Sequence, residues 1–222
     1  GGRALRLGTH TAGDAESLSA AAHVRAQPRV YCMQKVVEVA DFNLSCRSRV
    51  VWARMWRVLS GYFTSVGCHQ NRAVAMYAID SLKQLSLKFL ERDELSGFNF
   101  QSIFLRPFEV IVANSPYPDI RELVLRVMEN LVLARRGNIR SGWKAAFAVL
   151  AAAASDHEAE LAALAFSLVE RLVDEHWADV APAFAELSSC LGAFTTAQPA
   201  GVALAAMARM VVCAERLVEG QV

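Results

Sequence analysis

Hydrophobic residues recur at helical spacing along most of the chain. One stripe consists of Val51, Met55, Val58, Leu59, Tyr62 and Val66, and another of Leu161, Leu164, Ala165, Leu168 and Leu172. Intervals of three and four residues place such side chains on one face of an α-helix. No alternating pattern typical of a strand hairpin stands out between the stripes. The sequence therefore predicts an all-α protein.

Short breaks separate the stripes and are rich in Gly, Pro, Asn, Ser and Asp, the residues that turns prefer. They delimit about nine helices, at roughly residues 31–45, 49–66, 71–92, 100–113, 118–135, 138–154, 157–175, 179–195 and 200–218. Asn71 and Asn138 are predicted N-caps, because an asparagine oxygen can accept a hydrogen bond from a free amide of the first turn.

The predicted helices repeat with a regular period. Those starting near residues 118, 157 and 200 are roughly 40 residues apart, as are those near 100, 138 and 179. This is the period of HEAT and armadillo repeats, so residues 28–222 are predicted to form one right-handed stack of helical hairpins, an α-solenoid. A compact irregular bundle is the alternative. Residues 1–27, rich in small and polar side chains, are interpreted as a linker with at most one short helix.

The composition fits a soluble helical protein. Apolar residues make up 54% of the chain, but the longest apolar run, residues 145–154, is half of the roughly 20 residues that a membrane span needs. The five cysteines are scattered without a Cys-x-x-Cys pair, which favours a reducing compartment and gives no sign of a disulfide framework or a metal site. No cofactor is expected, and the cytosol is the predicted location.

Charge is distributed unevenly along the chain. The net charge is +1, but residues 155–222 carry ten acidic and three basic side chains, so that segment is −7 and the remainder is +8. No acidic residue occurs between Asp41 and Asp80. Such asymmetry favours an acidic partner, either an anionic membrane or an acidic protein face. A solvated surface without a partner is the alternative for any single arginine.

The sequence gives no positive sign of an enzyme. It contains no phosphate-binding glycine loop, no His-Glu-x-x-His helix and no Gly-x-Ser-x-Gly elbow. The acidic pairs Asp93-Glu94 and Asp174-Glu175 fall at predicted helix ends and are interpreted as solvated surface.

Nucleic-acid binding is also not expected. Arg54 and Arg57 alternate with Trp52 and Trp56, a pattern that can mark a nucleic-acid surface. However, the tryptophans follow the helical spacing of a core, which places the arginines on the opposite face.

The segment Asn138-Ile139-Arg140-Ser141-Gly142-Trp143-Lys144 is the most suggestive one. It places two cations near a predicted helix N-terminus, where the helix dipole disfavours positive charge. Two interpretations stay open: the cations meet an outside anionic partner, or they pair with an acid of an adjoining helix while the tryptophan packs between hairpins.

Four segments carry a family resemblance. They are QKVVEVADFN (residues 34–43), RVVWARMWRVLSGYFTSVGC (49–68), AIDSLKQLSLKFLERDELSGFNFQSIFLRPFE (78–109) and NIRSGWKAAFAVLAAAASD (138–156). Together they resemble the large BIG-type guanine-nucleotide exchange factors for Arf GTPases, in the homology region directly downstream of the catalytic "Sec-seven" domain. The resemblance is strong over residues 27–154 and fades beyond residue 158.

The resemblance implies a HEAT-like regulatory region of a trafficking protein that is cytoplasmic and peripheral on trans-Golgi and endosomal membranes. The implied partners are an Arf-type small GTPase in its GTP form, an anionic Golgi membrane, and other domains of the same exchange factor. The family's catalytic loop, Phe-Arg-Leu-Pro-Gly-Glu, does not occur in this sequence. We therefore expect no nucleotide exchange by this chain alone. A scaffold that contacts only its own polypeptide is the alternative function.

Two sets of candidate residues follow. The residues predicted to bind a partner are all cations: Arg140, Lys144, Arg106, Arg47, Arg49, Arg54 and Arg57. The residues assigned to packing and capping are Asn138, Ser141, Gly142, Trp143, Asn43, Trp52 and Trp56.

Overall fold

A computed structural model describes residues 30–94 and 97–220, and all regular structure in these two ranges is helical. The predicted linker at residues 1–27 lies outside them. Nine long helices and one short helix follow each other: α1 (Tyr31–Cys46), α2 (Arg49–Gly67), α3 (Arg72–Phe89), α4 (Phe100–Asn114), α5 (Pro118–Arg135), α6 (Gly142–Ala153), α7 (Ala159–Glu175), the short α8 (Trp177–Val180), α9 (Phe184–Phe194) and α10 (Ala200–Val218). The all-α prediction is confirmed.

Most predicted boundaries agree with the structure to within two residues, and three helices differ by more. Helix α3 ends at Phe89 instead of residue 92. Helix α6 begins at Gly142 instead of residue 138, because residues 136–138 form a separate 3₁₀ turn. The predicted helix 179–195 is broken, because Pro182 lies in a 3₁₀ turn, Ala181–Ala183, and cannot donate a helical hydrogen bond.

One predicted cap is confirmed and one is wrong. The side chain of Asn71 accepts hydrogen bonds from the amides of Ala73 and Val74 at the start of α3. Asn138 does not cap α6, whose N-cap residue is Ser141. The side-chain amide of Asn138 donates instead to the carbonyl of Leu90, 3.0 Å away.

The helices pack in two layers. Layer A consists of α2, α4, α6 and α9, and layer B consists of α1, α3, α5, α7 and α10. Within each layer every helix packs on the next one, and adjacent helices of the chain pack across the layers. This succession is that of a helical-repeat stack, with α4, α6 and α9 spaced as predicted in one layer and α5, α7 and α10 in the other. It favours the stack over the compact bundle.

Aromatic rings fill the space between the layers near the beginning of the stack. The ring of Phe104 lies 3.9 Å from that of Trp56 and 4.2 Å from that of Phe89, centroid to centroid. Trp52 and Trp56 are both buried in this part of the core. At Gly67 a Cβ atom would lie 2.3 Å from Cδ1 of Ile111, so only glycine allows α2 and α4 to approach this closely.

Candidate partner-binding surface

Five of the predicted partner-binding cations lie exposed on layer A. We call Arg54, Arg57, Arg106, Arg140 and Lys144 the layer A cations. They belong to α2, to α4 and to the start of α6, and these three helices pack side by side. None of the five forms an ion pair with any described residue.

The local sequence explains these unpaired charges. Helices α2 and α6 contain no acidic residue, α4 contains only Glu109, and α9 contains only Glu186. Glu186 lines the same groove as Lys144 without pairing with it. The internal ion pair considered for the Asn138–Lys144 segment is therefore absent among the described residues.

Layer B uses its cations in a different way. Ion pairs join each of its helices to the next: Lys88 with Asp41 (2.5 Å), Arg72 with Asp119 (3.3 Å), Arg171 with Glu129 (2.6 Å) and Arg209 with Asp174 (2.9 Å). Two described cations of this layer are exceptions. Lys83 forms no ion pair within the described residues, and Arg216 donates to the carbonyl of Val173.

Arg47 and Arg49 lie apart from the layer A cations, at the turn between α1 and α2. Nε of Arg47 donates to the side-chain oxygen of Asn43 at 3.2 Å, and the side-chain amide of Asn43 donates to the carbonyl of Val39 at 2.8 Å. Asn43 therefore stabilises the end of α1, in agreement with its assignment as structural. Arg47 and Arg49 line a cleft beside Trp52. The seven predicted cations thus form two separate groups.

The segment around Ser141 is held by two residues that sequence reasoning did not select. The carboxylate of Glu94 accepts hydrogen bonds from the amide and the hydroxyl of Ser141, at 2.9 and 2.8 Å, and from the amide of Gln101, at 2.9 Å. The side chain of Gln101 donates to the carbonyl of Asn138 at 2.8 Å and accepts from the amide of Arg140 at 2.7 Å. We call this network the Glu94–Gln101 clasp.

The clasp corrects one interpretation. Glu94 is part of an internal network and not of a solvated acidic pair. Gln101 is 1% exposed and lies in the otherwise apolar buried stripe of α4. A glutamine in such a stripe is a sequence signal of a buried polar contact that the predictions from sequence did not use, because a buried polar side chain needs hydrogen-bond partners.

The rest of the segment is structural, as assigned. Trp143 is 2% exposed and its ring lies 5.5 Å from that of Phe147. A Cβ atom at Gly142 would lie 3.1 Å from the side-chain oxygen of Gln101, so this position packs tightly against the clasp. The segment therefore has two parts: a framework of Asn138, Ser141, Gly142 and Trp143, in which Gly142 and Trp143 are buried and Asn138 and Ser141 partly buried, and the exposed cations Arg140 and Lys144.

One buried ion pair closes the turn between α6 and α7. Arg121 binds Asp156 through two hydrogen bonds, of 2.7 and 3.0 Å, and the carboxylate side chain is 7% exposed. Burial by itself would raise the pKa of Asp156. The hydrogen bonds from Arg121 and from the amide of Glu158, together with the positive charge of Arg121, outweigh the effect of burial, so the pKa of Asp156 is lowered. The carboxylate is therefore charged at neutral pH.

Other chemistry is sparse in the described part of the chain. Burial raises the pKa of Cys190 to about 12, so this thiol is inert at neutral pH. Among residues 30–94 and 97–220 no three His, Cys, Asp or Glu side chains come together as a metal site would require. Within the same ranges every helix is too short or too polar to span a bilayer.

Comparison with known proteins places this helical stack among exchange-factor regions. Residues 88–171 match the family described as Sec7-like HDS, Mon2/Sec7/BIG1-like. Brefeldin A-inhibited guanine nucleotide-exchange protein 3 of Arabidopsis thaliana is 40% identical over 200 residues, which is 88% of this chain. The corresponding protein 1 of Homo sapiens is 42% identical over 171 residues, which is 75% of this chain.

The matches cover only a small part of those relatives. The chain spans 11% of the length of the Arabidopsis protein and 9% of the human one. The matched family segment runs from the end of α3 to α7, so it includes the Glu94–Gln101 clasp, Arg106, Arg140 and Lys144.

Proposed function

Because the chain is a Sec7-like HDS region of the BIG-type Arf exchange factors, we propose that it is a non-catalytic regulatory module that binds GTP-bound Arf-type GTPase at an anionic Golgi membrane. Through this contact it recruits and regulates the exchange factor in vesicle trafficking. The catalytic step belongs to another part of such a factor.

The observation that carries the proposal is the set of layer A cations. Five positive side chains on neighbouring helices have no acidic partner among the described residues, and exposed apolar side chains lie beside them, including Val58 on α2 and Ile103 on α4. A surface of unpaired cations attracts an acidic protein face or anionic lipid over a distance set by salt screening, about 8 Å at physiological ionic strength. The apolar side chains add area that a partner can cover.

Flotation with liposomes tests the proposal. Liposomes with and without anionic lipid are mixed with the chain and with membrane-anchored Arf locked in its GTP or GDP form. We expect recruitment that requires the GTP form, increases with anionic lipid and weakens as salt is raised.

Charge reversal on layer A gives the matched comparison. Arg106→Glu and Arg140→Glu should each weaken recruitment several-fold, and their combination more. Arg126→Glu, on an exposed position of layer B, introduces the same charge change and should leave recruitment unchanged. Recruitment that ignores the nucleotide would sink the GTPase part of the proposal, and equal loss in Arg126→Glu would sink the assignment to layer A.

A second candidate function, contact with other domains of the same exchange factor, is favoured by the two ends of the stack. Helix α1 exposes Tyr31, Val39 and Phe42, and α10 exposes Leu204, Met207, Val211 and Val218. Apolar stripes of this kind favour cover by further protein. Polar substitution of Leu204 and Val211 should abolish capture of the catalytic domain in a pull-down and leave flotation unchanged, if this second function holds. Capture that survives the substitutions would argue against it.

A further inference from the structure

A shallow cleft opens where the end of α1, the start of α2, the end of α3 and the start of α4 meet. Its floor is apolar and is formed by Leu44, Trp52, Phe89 and Phe100. A smaller hollow continues from it along the seam of α2 and α4, past Ile103. The ring of the exposed Phe98 lies 5.1 Å from that of Phe100 and extends the apolar floor. We call this feature the Trp52 cleft.

The rim of the Trp52 cleft is positively charged. Arg47, Arg49 and Arg92 line it, and none of the three forms an ion pair with a described residue. The one carboxylate on the rim belongs to Glu94, and its oxygens already accept three hydrogen bonds inside the clasp. The rim therefore carries three guanidinium groups against one carboxylate and is net positive.

Trp52, which lines the floor, also carries an unused hydrogen-bond donor. Its Nε1 is buried and has no hydrogen-bond partner, and the residue is 3% exposed. The indole N–H can only donate, so its hydrogen bond needs an acceptor such as a carbonyl or carboxylate oxygen. Nε1 of Trp56, by comparison, donates to the carbonyl of Ile103.

We propose that the Trp52 cleft binds a short acidic peptide segment of a partner protein, with one aromatic or leucine side chain seated on the apolar floor. Carboxylates on either side of that anchor pair with Arg47, Arg49 and Arg92, and a peptide oxygen accepts from Nε1 of Trp52. The apolar floor is confined to four side chains between charged groups, so it suits a single anchor side chain and not a folded surface. This binding goes beyond the proposed function, because it needs neither GTPase nor lipid.

A peptide explains the cleft better than a lipid headgroup does. A phosphate group would satisfy the guanidinium groups but would leave the aromatic floor and the smaller hollow uncovered. An anchor side chain flanked by carboxylates contacts the apolar floor and the charged rim together. In the recognition of short segments, a few well-packed anchor residues contribute most of the binding free energy.

The test uses the whole chain and a short synthetic peptide of Asp and Glu with one central Phe. Binding is followed by fluorescence polarisation of the labelled peptide and by the indole N–H resonances of the protein. The chain has four tryptophans, and Trp52→Phe assigns the resonance of interest. We expect the Trp52 resonance to shift on binding. The Trp143 resonance should stay in place, because its Nε1 is equally buried and unpaired but lies on α6.

Matched variants localise the site. Arg49→Gln and Arg92→Gln should each weaken peptide binding about tenfold, as expected for the loss of one charge-assisted hydrogen bond. Arg106→Gln removes the same charge from layer A outside the cleft and should leave peptide binding unchanged. Replacing the central Phe of the peptide by Gly should weaken binding at least as much as either cleft variant. Thermal unfolding of each variant verifies that the fold is intact.

Three outcomes would overturn the proposal: no binding of the acidic peptide, binding without a shift of the Trp52 indole, or equal weakening by Arg106→Gln. A Trp52 shift produced by anionic vesicles and not by the peptide would also overturn it, in favour of a lipid site. The proposed function fails independently, by loss of nucleotide-dependent flotation while peptide binding persists.

Discussion

Layer A and layer B belong to the same helical stack but treat their charged residues in opposite ways. In layer B, ion pairs such as Arg72 with Asp119 and Arg171 with Glu129 connect each helix to the next. In layer A, Arg54, Arg57 and Arg106 have no such partners among the described residues, and the junction between α4 and α6 is made by the partly buried Glu94–Gln101 clasp. Surface charge thus connects one layer internally and stays available on the other.

The difference shows where a partner can bind at the lowest free-energy cost. A ligand that approaches layer B has to compete with acidic side chains that already hold the cations. A ligand of layer A meets cations that pair with no carboxylate of the described residues, although Arg140 donates one hydrogen bond to the carbonyl of Ile139. The number of cations in a layer is therefore a poorer guide to binding than the number that lack an acidic neighbour.

The largest expected effect comes from opening the clasp. Gln101→Ala removes a buried side chain, leaves the partly buried amide of Arg140 and carbonyl of Asn138 without their present partners, and should lower the free energy of unfolding by about 3 kcal/mol. Gln84→Ala, at an exposed position on α3, is the control and should change it by less than about 0.5 kcal/mol. Urea unfolding measures both, and similar values for the two variants would contradict a structural role for the clasp.

The buried pair of Arg121 and Asp156 should give the next largest effect. Asp156→Asn leaves the guanidinium group partly buried without its counter-charge and should cost about 2–3 kcal/mol at neutral pH.

The same pair predicts a pH dependence. The pKa of Asp156 is lower in the folded state than the ordinary value of about 3.9 in the unfolded chain. Its contribution to stability is therefore complete above about pH 4 and is lost as the pH falls through the lower, folded-state pKa. Urea unfolding measured from neutral to acidic pH should show that wild type and Asp156→Asn differ in free energy of unfolding by a constant amount down to about pH 4. The difference should narrow only below that pH. A gap that closes nearer neutral pH would show that another group is responsible.

A smaller effect is expected from the surface pairs of layer B. A double-mutant cycle on Lys88 and Asp41, both partly exposed, should give a coupling free energy of about 0.5 kcal/mol that decreases as salt is added. Coupling that is large and insensitive to salt would mean that these pairs act as buried contacts.

The smallest effect on stability is expected on layer A. Arg57→Gln and Arg106→Gln should each change the free energy of unfolding by less than about 0.5 kcal/mol, because neither cation has an ion pair to lose. If thermal unfolding shows that either variant is strongly destabilised, the layer A cations are structural and the contrast between the layers disappears.

Local pattern was enough to predict most of the fold. The stripe through Leu161, Leu168 and Leu172 corresponds to α7, and the break before Pro118 corresponds to the start of α5. Such features depend on residues a few positions apart, which the sequence shows directly. The predicted helix 179–195 is broken near Pro182, which is also a local cause. The break was missed because the hydrophobic pattern continues through the proline.

The candidate site could be predicted only in part. The exposure of Arg54 and Arg57 followed from the burial of Trp52 and Trp56 on the same helix. The partners of Ser141 did not follow, because Glu94 lies 47 positions earlier in the chain. The Trp52 cleft was missed for the same reason, since its walls come from four helices whose approach is decided by packing. The hydrophobic pattern within one helix therefore predicts which side chains are buried, but it does not predict the contacts between one repeat and the next.

The Glu94–Gln101 clasp has a consequence for how the stack loses its structure. Its donors and acceptors come from the loop before α4, from α4 itself and from the residues before α6, so no single hairpin satisfies them alone. Repeat stacks often fray unit by unit from their ends, because each unit contacts only its neighbours. Here the region from α3 to α6 should instead exchange its amide hydrogens as one cooperative block, and α1 and α10 should open earlier.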